Sequence, residues 1–118
     1  APHTREEKSG DITKVPSGII GLETALSLAI TNLIKPGYLT YSELISKMST
    51  NPAKLYHLEA GTIKVGGNAD IVIFDEGDVV YEKYESKSCN TPFTGMPLKG
   101  QVVYTICNGK IVYEKSDK

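Results

Sequence analysis

The apolar pattern of this 118-residue chain changes period once, near Leu58–Gly61. Ahead of that point apolar residues recur at three- and four-residue intervals. Behind it the chain is rich in Val, Ile and Tyr and is punctuated by Gly. A helical period followed by strand composition predicts an α+β chain with its helices and strands segregated. The expected division is 1–58 for the helical part and 59–118 for the strands.

In the first part Leu22, Ala25, Leu26, Ala29, Ile30, Leu33 and Ile34 fall on one helical face. Leu28 widens that stripe, so the helix is expected to pack on more than one side. Pro36-Gly37 stops it. Thr40-Tyr41-Ser42-Glu43 is a capping-box pattern, and Leu44, Ile45 and Met48 form the buried face of the helix it opens. Asn51-Pro52 reads as an N-cap followed by Pro at the first helical position. A third short helix, with Ala53, Leu55 and Tyr56, is expected from there to about His57.

In the second part Thr62–Val65 predicts a short strand and Gly66-Gly67-Asn68 a turn. Ala69–Asp75 predicts a second strand, apolar enough in its middle to be covered on both faces. Glu76-Gly77-Asp78 reads as a turn and Val79-Val80-Tyr81 as the start of a third strand. Gln101–Cys107 and Lys110–Glu114 flank Asn108-Gly109, a hairpin signal because both turn positions need φ > 0.

The first two dozen residues carry no periodicity. They hold His3, Pro2, Pro16, Gly10, Gly18 and Gly21. A frayed end and a functional loop both fit such a composition. The spacing of Pro and Gly favours the loop. Pro16 fixes φ, Gly18 permits close backbone approach, and Gly21 leads into a helix whose N–H groups point outward. That arrangement is able to hold an anion.

Charge and cysteine usage narrow the function classes. Lys+Arg 13 against Asp+Glu 14 gives a net charge of -1, which recruits neither nucleic acid nor an anionic membrane. No run is apolar and long enough to span a bilayer, and no signal peptide is visible. Cys89 and Cys107 share no metal-binding or disulfide spacing, so a reducing, cytoplasmic setting is expected. The lack of an initiator Met agrees with a fragment or a processed chain.

Three stretches carry a family resemblance. Ala1-Pro2-His3-Thr4-x-Glu6-Glu7-Lys8 and Pro16-x-Gly18-Ile19-x-Gly21-Leu22-Glu23-Thr24 resemble the end of the catalytic barrel in class I dihydroorotases, zinc amidohydrolases of pyrimidine biosynthesis. Ala60-Gly61-Thr62-Ile63-Lys64-Val65-Gly66-x-x-Ala69-Asp70-Ile71-Val72 is similar to a strand pair shared by many metal-dependent amidohydrolases. Ser86-Lys87-Ser88-x-Asn90-Thr91-Pro92-Phe93-x-Gly95, with Leu98-x-Gly100-x-Val102, is narrower and looks like dihydroorotase. The resemblance implies a C-terminal piece of such an enzyme. Residues 1–58 would be the last loop and outer helices of a TIM-like (β/α)8 barrel, and 59–118 strands of the flanking β-sandwich.

The same resemblance implies site residues. His3 matches a histidine that binds the substrate carboxylate, and an imidazole N–H is able to donate to such an anion. Ser17 and Gly18 match positions whose backbone lines the dihydroorotate ring. Ser17 departs from the Phe or Pro common there, which a backbone contact tolerates. No catalytic residue and no metal ligand is expected in this chain. The family's general-base Asp would lie two residues ahead of Ala1, and its His-x-His pair and bridging Lys on early barrel strands. Zinc would belong to the intact parent.

Other polar residues read as structural. His57 stands alone by metal spacing. Glu6 and Glu7 are expected on a solvated loop face. Asp70 and Asp75 are expected to bond turn amides. Cys89 and Cys107 lack the basic neighbours of a nucleophile.

The implied function is interconversion of N-carbamoyl-L-aspartate and (S)-dihydroorotate by the parent, with this chain inactive alone. A hydantoinase or allantoinase is the competing enzyme, and Pro2-His3 speaks against it. A non-catalytic dihydroorotase-like partner of aspartate transcarbamoylase is the third reading. Expected partners are the remainder of the parent chain and further copies in a homo-oligomer.

Overall fold

The computed structural model describes residues 3–116. Helix α1, Ala25–Ala29, runs on through a wider π segment, Ile30–Ile34, which Lys35 N–H closes onto Ile30 O at 2.9 Å. Helix α2, Tyr41–Ile45, opens on the expected capping box. The Thr40 hydroxyl accepts the Glu43 N–H, and the Glu43 carboxylate accepts the Thr40 N–H at 2.8 Å.

The third helix does not start afresh. A second π segment, Ser46–Thr50, leads straight into α3, Asn51–Leu55, and both Thr50 and Asn51 keep helical dihedrals. Asn51 is therefore inside the helix and caps nothing. Its N–H bonds the carbonyl of Ser46, five residues back. The wide turn takes up Pro52, whose ring would crowd a regular α-turn and offers it no N–H. The end at His57 is as expected. His57 has φ +55, Leu58 N–H bonds Ala53 O at 2.9 Å and His57 N–H bonds Lys54 O at 3.3 Å. This left-handed C-terminal cap satisfies the last carbonyls and gives His57 a structural role.

Three antiparallel strands follow in the order β1-β2-β3: β1 Ile71–Val80, β2 Pro97–Cys107 and β3 Lys110–Glu114. The β2–β3 hairpin turns at Asn108 (φ 48) and Gly109 (φ 74), as the dipeptide predicts. Asp70 Oδ1 accepts the Asn108 N–H at 2.8 Å, so this carboxylate does bond a turn amide.

Four expectations about the strands fail. Residues 62–65 form no strand, because no described segment pairs with them, and Ile63 and Val65 stand in solvent. Glu76-Gly77-Asp78 is no turn between strands, and Val79 and Val80 end β1 where a third strand is expected to start. Asp75 pairs with Gln101 and Asp78 with Lys99, so Glu76 and Gly77 together oppose Gly100 in a β-bulge within β1. Asp75 Oδ1 accepts the Gly77 N–H at 2.7 Å and shapes it. Lastly, β1 is not covered on both faces: Val72 and Ile73 are 51% and 46% exposed. The apolar run would suit a doubly covered strand, but this chain supplies no second layer there.

Helix α1 docks on β2. Ser27 Oγ donates to Gly100 O at 2.5 Å and lies 2.9 Å from Tyr81 Oη. Lys99 N–H donates to Thr31 Oγ1 at 2.7 Å. Ile30 is fully buried against Gly100. The bulge turns Glu76 toward the helices, where its carboxylate accepts from Tyr41 Oη at 2.5 Å and from Lys35 Nζ.

The buried apolar side chains are Ile30, Leu44, Ala53 and Leu98. Leu22, on the predicted helical stripe, is 96% exposed. The accessible surface is 8864 Å², against about 6,300 Å² for a compact protein of this mass. The radius of gyration is 16.4 Å, against about 13.5 Å for a compact chain of this length. Much apolar surface is therefore left uncovered. Among the described residues no helix is long and apolar enough to cross a membrane.

Candidate functional site

The irregular segment before α1 has a defined path. Thr4 and Glu7 cap a short turn reciprocally: Thr4 N–H donates to Glu7 Oε2 at 2.9 Å and Glu7 N–H to Thr4 Oγ1 at 3.2 Å. Glu7 therefore has a local bonding role as well as a solvated face. His3 Nδ1 lies 3.3 Å from the same Glu7 oxygen. The Thr4 amide, with the His3 ring as a lesser contributor, holds the Glu7 carboxyl below its ordinary value. Asp11 closes the next turn by accepting from Thr13 N–H at 3.0 Å.

The 16–18 loop is held from both sides. Lys8 Nζ donates to Gly18 O at 2.7 Å and also to Pro16 O. Asn90 Nδ2 donates to Gly18 O at 2.7 Å. Gly18 sits at φ +106, a conformation that favours glycine. Ser17 and Gly18 are exposed, and His3 is half-buried.

Residues 85–91 run along this segment and fasten it. Glu23 accepts from the N–H groups of Glu85 at 3.0 Å and Ser86 at 3.2 Å. Ile20 N–H donates to Asn90 O at 3.1 Å. The buried Ser88 donates to His3 O at 2.7 Å. His3 and Gly18 are thus brought to neighbouring residues of one strap, Ser88 and Asn90. Lys8, Ser88 and Asn90 were not singled out as site residues by sequence reasoning. The one signal for the last two was their place in the 86–95 motif.

His57 takes no part in these bonds, and Cys89 and Cys107 are free and exposed. Among the described residues no three His, Cys, Asp or Glu side chains gather where they could hold a metal ion. The described residues do not fit a zinc site. What the arrangement offers is hydrogen-bonding groups: the His3 ring and the backbone of a stiffened loop.

The amidohydrolase family model matches residues 8–112. The dihydroorotase of Lactococcus lactis subsp. lactis (strain IL1403) is 57% identical over 116 residues, covering 97% of this chain and 27% of that protein. The dihydroorotase of Clostridium acetobutylicum is 56% identical over 117 residues, covering 97% and 28%. Among solved structures, the L-hydantoinase (dihydropyrimidinase) from Arthrobacter aurescens superposes with a TM-score of 0.81 at 37% identity, covering 91% of this chain and 25% of that one. The D-hydantoinase from Bacillus sp. AR9 gives a TM-score of 0.79 at 32% identity, covering 94% and 26%. The chain thus spans about a quarter of the length of the relatives it matches.

Proposed function

We propose that this chain, which belongs to the amidohydrolase family, works as part of a dihydroorotase. The whole enzyme would interconvert N-carbamoyl-L-aspartate and (S)-dihydroorotate. The observation that carries the reading is the 57% identity to a dihydroorotase across 97% of this chain. Identity to the hydantoinases is lower, at 37% and 32%.

Residues 1–58 would close the catalytic barrel and 59–118 would belong to the flanking β-sandwich. Docking of α1 on β2 supports a fixed relation between the two parts. The zinc ion and the general base would come from other parts of the enzyme. This chain's task would be to bind and orient. His3 Nδ1 faces Glu7 Oε2 at 3.3 Å, which leaves Nε2 as the ring nitrogen that would meet a substrate carboxylate. The backbone of Ser17 and Gly18 would meet the ring. Such groups hold the substrate in one pose and so lower the entropy to be lost at the transition state.

A chimera tests this. The matching segment of the Lactococcus lactis dihydroorotase is replaced by this chain, and turnover is assayed on dihydroorotate, hydantoin, dihydrouracil and allantoin. Dihydroorotate is the expected preferred substrate. A chimera that prefers hydantoin, or one that folds and processes none of the four, overturns the reading.

A further inference from the structure

We propose that Ser88 and Asn90 form a positioning clamp that sets His3 against the Gly18 peptide. The proposal rests on the reading of His3, Ser17 and Gly18 as substrate-binding groups.

The bonds form one short path. Ser88 Oγ lies 2.7 Å from His3 O, 85 residues away in the chain. Asn90 Oδ1 lies against the same hydroxyl, so the single Ser88 proton is shared between two acceptors, His3 O and Asn90 Oδ1. The other end of that amide, Nδ2, donates to Gly18 O at 2.7 Å. Two side chains with few rotatable bonds therefore connect the two candidate binding positions. Ser88 is 3% exposed, in a chain that leaves most of its surface open. A hydroxyl buried there is held to its partners, because losing one would leave a polar group unpaired.

Lys8 completes the geometry. Its Nζ is a second donor on Gly18 O, at 2.7 Å. A carbonyl oxygen has two lone pairs, and both are now used. The Gly18 peptide is fixed in direction, and its oxygen has nothing left for a ligand. Among the described residues neither Ser17 N–H nor Gly18 N–H donates to another group. Those two N–H groups are open to an acceptor on a ligand, a carboxylate or ring-carbonyl oxygen. Ser88 and Asn90 touch no ligand in this scheme. They act through the backbone of His3 and Gly18.

The test uses the full-length enzyme carrying this segment, with Asn90→Leu, Asn90→Asp, Ser88→Ala and His3→Ala. Steady-state kinetics on dihydroorotate are read beside thermal melting. Misplacing one neutral hydrogen bond is worth roughly 5- to 10-fold in affinity, so Asn90→Leu is expected to raise KM about 10-fold. kcat should stay within about 2-fold, the pattern of lost uniform binding. Asn90→Asp keeps the acceptor toward Ser88 and loses the donor toward Gly18, so its KM should fall between wild type and Asn90→Leu. An unchanged KM in Asn90→Leu and Ser88→Ala, with a lowered melting temperature or active fraction, makes the pair a structural clip and overturns the clamp. Ser88→Ala removes a single oxygen and carries the test if Asn90→Leu does not fold. A KM rise in His3→Ala alone sinks the clamp and spares the substrate reading. A KM rise at 88 and 90 with none at His3 sinks the substrate reading itself.

Discussion

The Cδ1 methyl of Ile30 lies where any side chain on Gly100 would have to go. Ile30 Cβ and Cγ1 already come within 3.2 Å of that position. Gly100 has φ +95, stands opposite the Glu76–Gly77 bulge, and gives its carbonyl to Ser27. Helix α1 therefore sits on β2 at a point where β2 has no side chain. Gly100→Ala should combine backbone strain of about 1–3 kcal/mol with overpacking of about 1–3 kcal/mol. A marked fall in melting temperature is expected. Adding Ile30→Val removes the obstructing methyl and should restore part of the loss, leaving the strain. A Gly100→Ala protein that melts like wild type would show that the helix is not seated there.

His3→Ala in the full-length enzyme should weaken substrate binding and spare the metal. A charge-assisted hydrogen bond is worth roughly 1.5–3 kcal/mol, or about 10- to 100-fold in affinity. KM for dihydroorotate and metal content by elemental analysis are measured on the same preparation. If metal content collapses while KM holds, His3 is a ligand and the assignment is wrong.

What the sequence shows and hides divides by distance along the chain. The Thr40–Glu43 box, the Asn108-Gly109 turn and the amide bonds of Asp70 and Asp75 all follow from local chemistry, and all are present. Strand composition at Thr62–Val65 speaks only of propensity; a strand also needs a partner, and the described residues offer none. Gly77 between two acids reads as a turn, yet the same residues make a bulge once β2 lies alongside. Leu98-x-Gly100 is visible as a motif, but only the contact with Ile30 explains it. His3, Ser17 and Gly18 are legible through resemblance. The bonds that hold them, from Lys8, Ser88 and Asn90, join loops without any period, so no spacing rule announces them.

The Tyr41–Glu76–Lys35 cluster gives a pH signature. The hydrogen bond to the Glu76 carboxylate, then burial, pushes the Tyr41 phenol up to about 12. The bond to Lys35, then that to Tyr41, holds Glu76 below its ordinary value. The folded state thus keeps the phenol proton above the ordinary tyrosine value of 10.0. The stabilisation is complete below pH 10 and is lost as pH rises toward about 12. Unfolding curves of wild type and Tyr41→Phe should therefore converge across that interval. For Glu76 the sign is opposite: its contribution is present above the ordinary carboxylate range and is lost as pH falls below it. Wild-type and Tyr41→Phe curves that stay parallel from pH 9 to 12 would mean that Tyr41 Oη is not bonded to Glu76.

The uncovered surface predicts association. The chain exposes 8864 Å², roughly 2,600 Å² more than a compact protein of its mass. That excess exceeds the roughly 800 Å² that each partner buries in a standard protein–protein interface. Its apolar parts are identifiable: Leu22 ahead of α1, Ile63 and Val65 in the unpaired stretch, and Val72 and Ile73 on β1. Among the described residues both β1 and β3 are also edge strands of the sheet. Apolar patches of this kind bind another surface or aggregate. Purified alone, the chain should therefore form a homo-oligomer, and in the presence of the rest of the enzyme it should bind that instead. Light scattering and native mass spectrometry read the first outcome, and co-purification of separately expressed pieces reads the second. Val65→Lys together with Leu22→Lys should shift the oligomer toward monomer without unfolding the β2–β3 hairpin, followed by circular dichroism. A wild-type chain that stays monomeric at high concentration and fails to bind the remaining piece would show that these faces are covered within the chain itself.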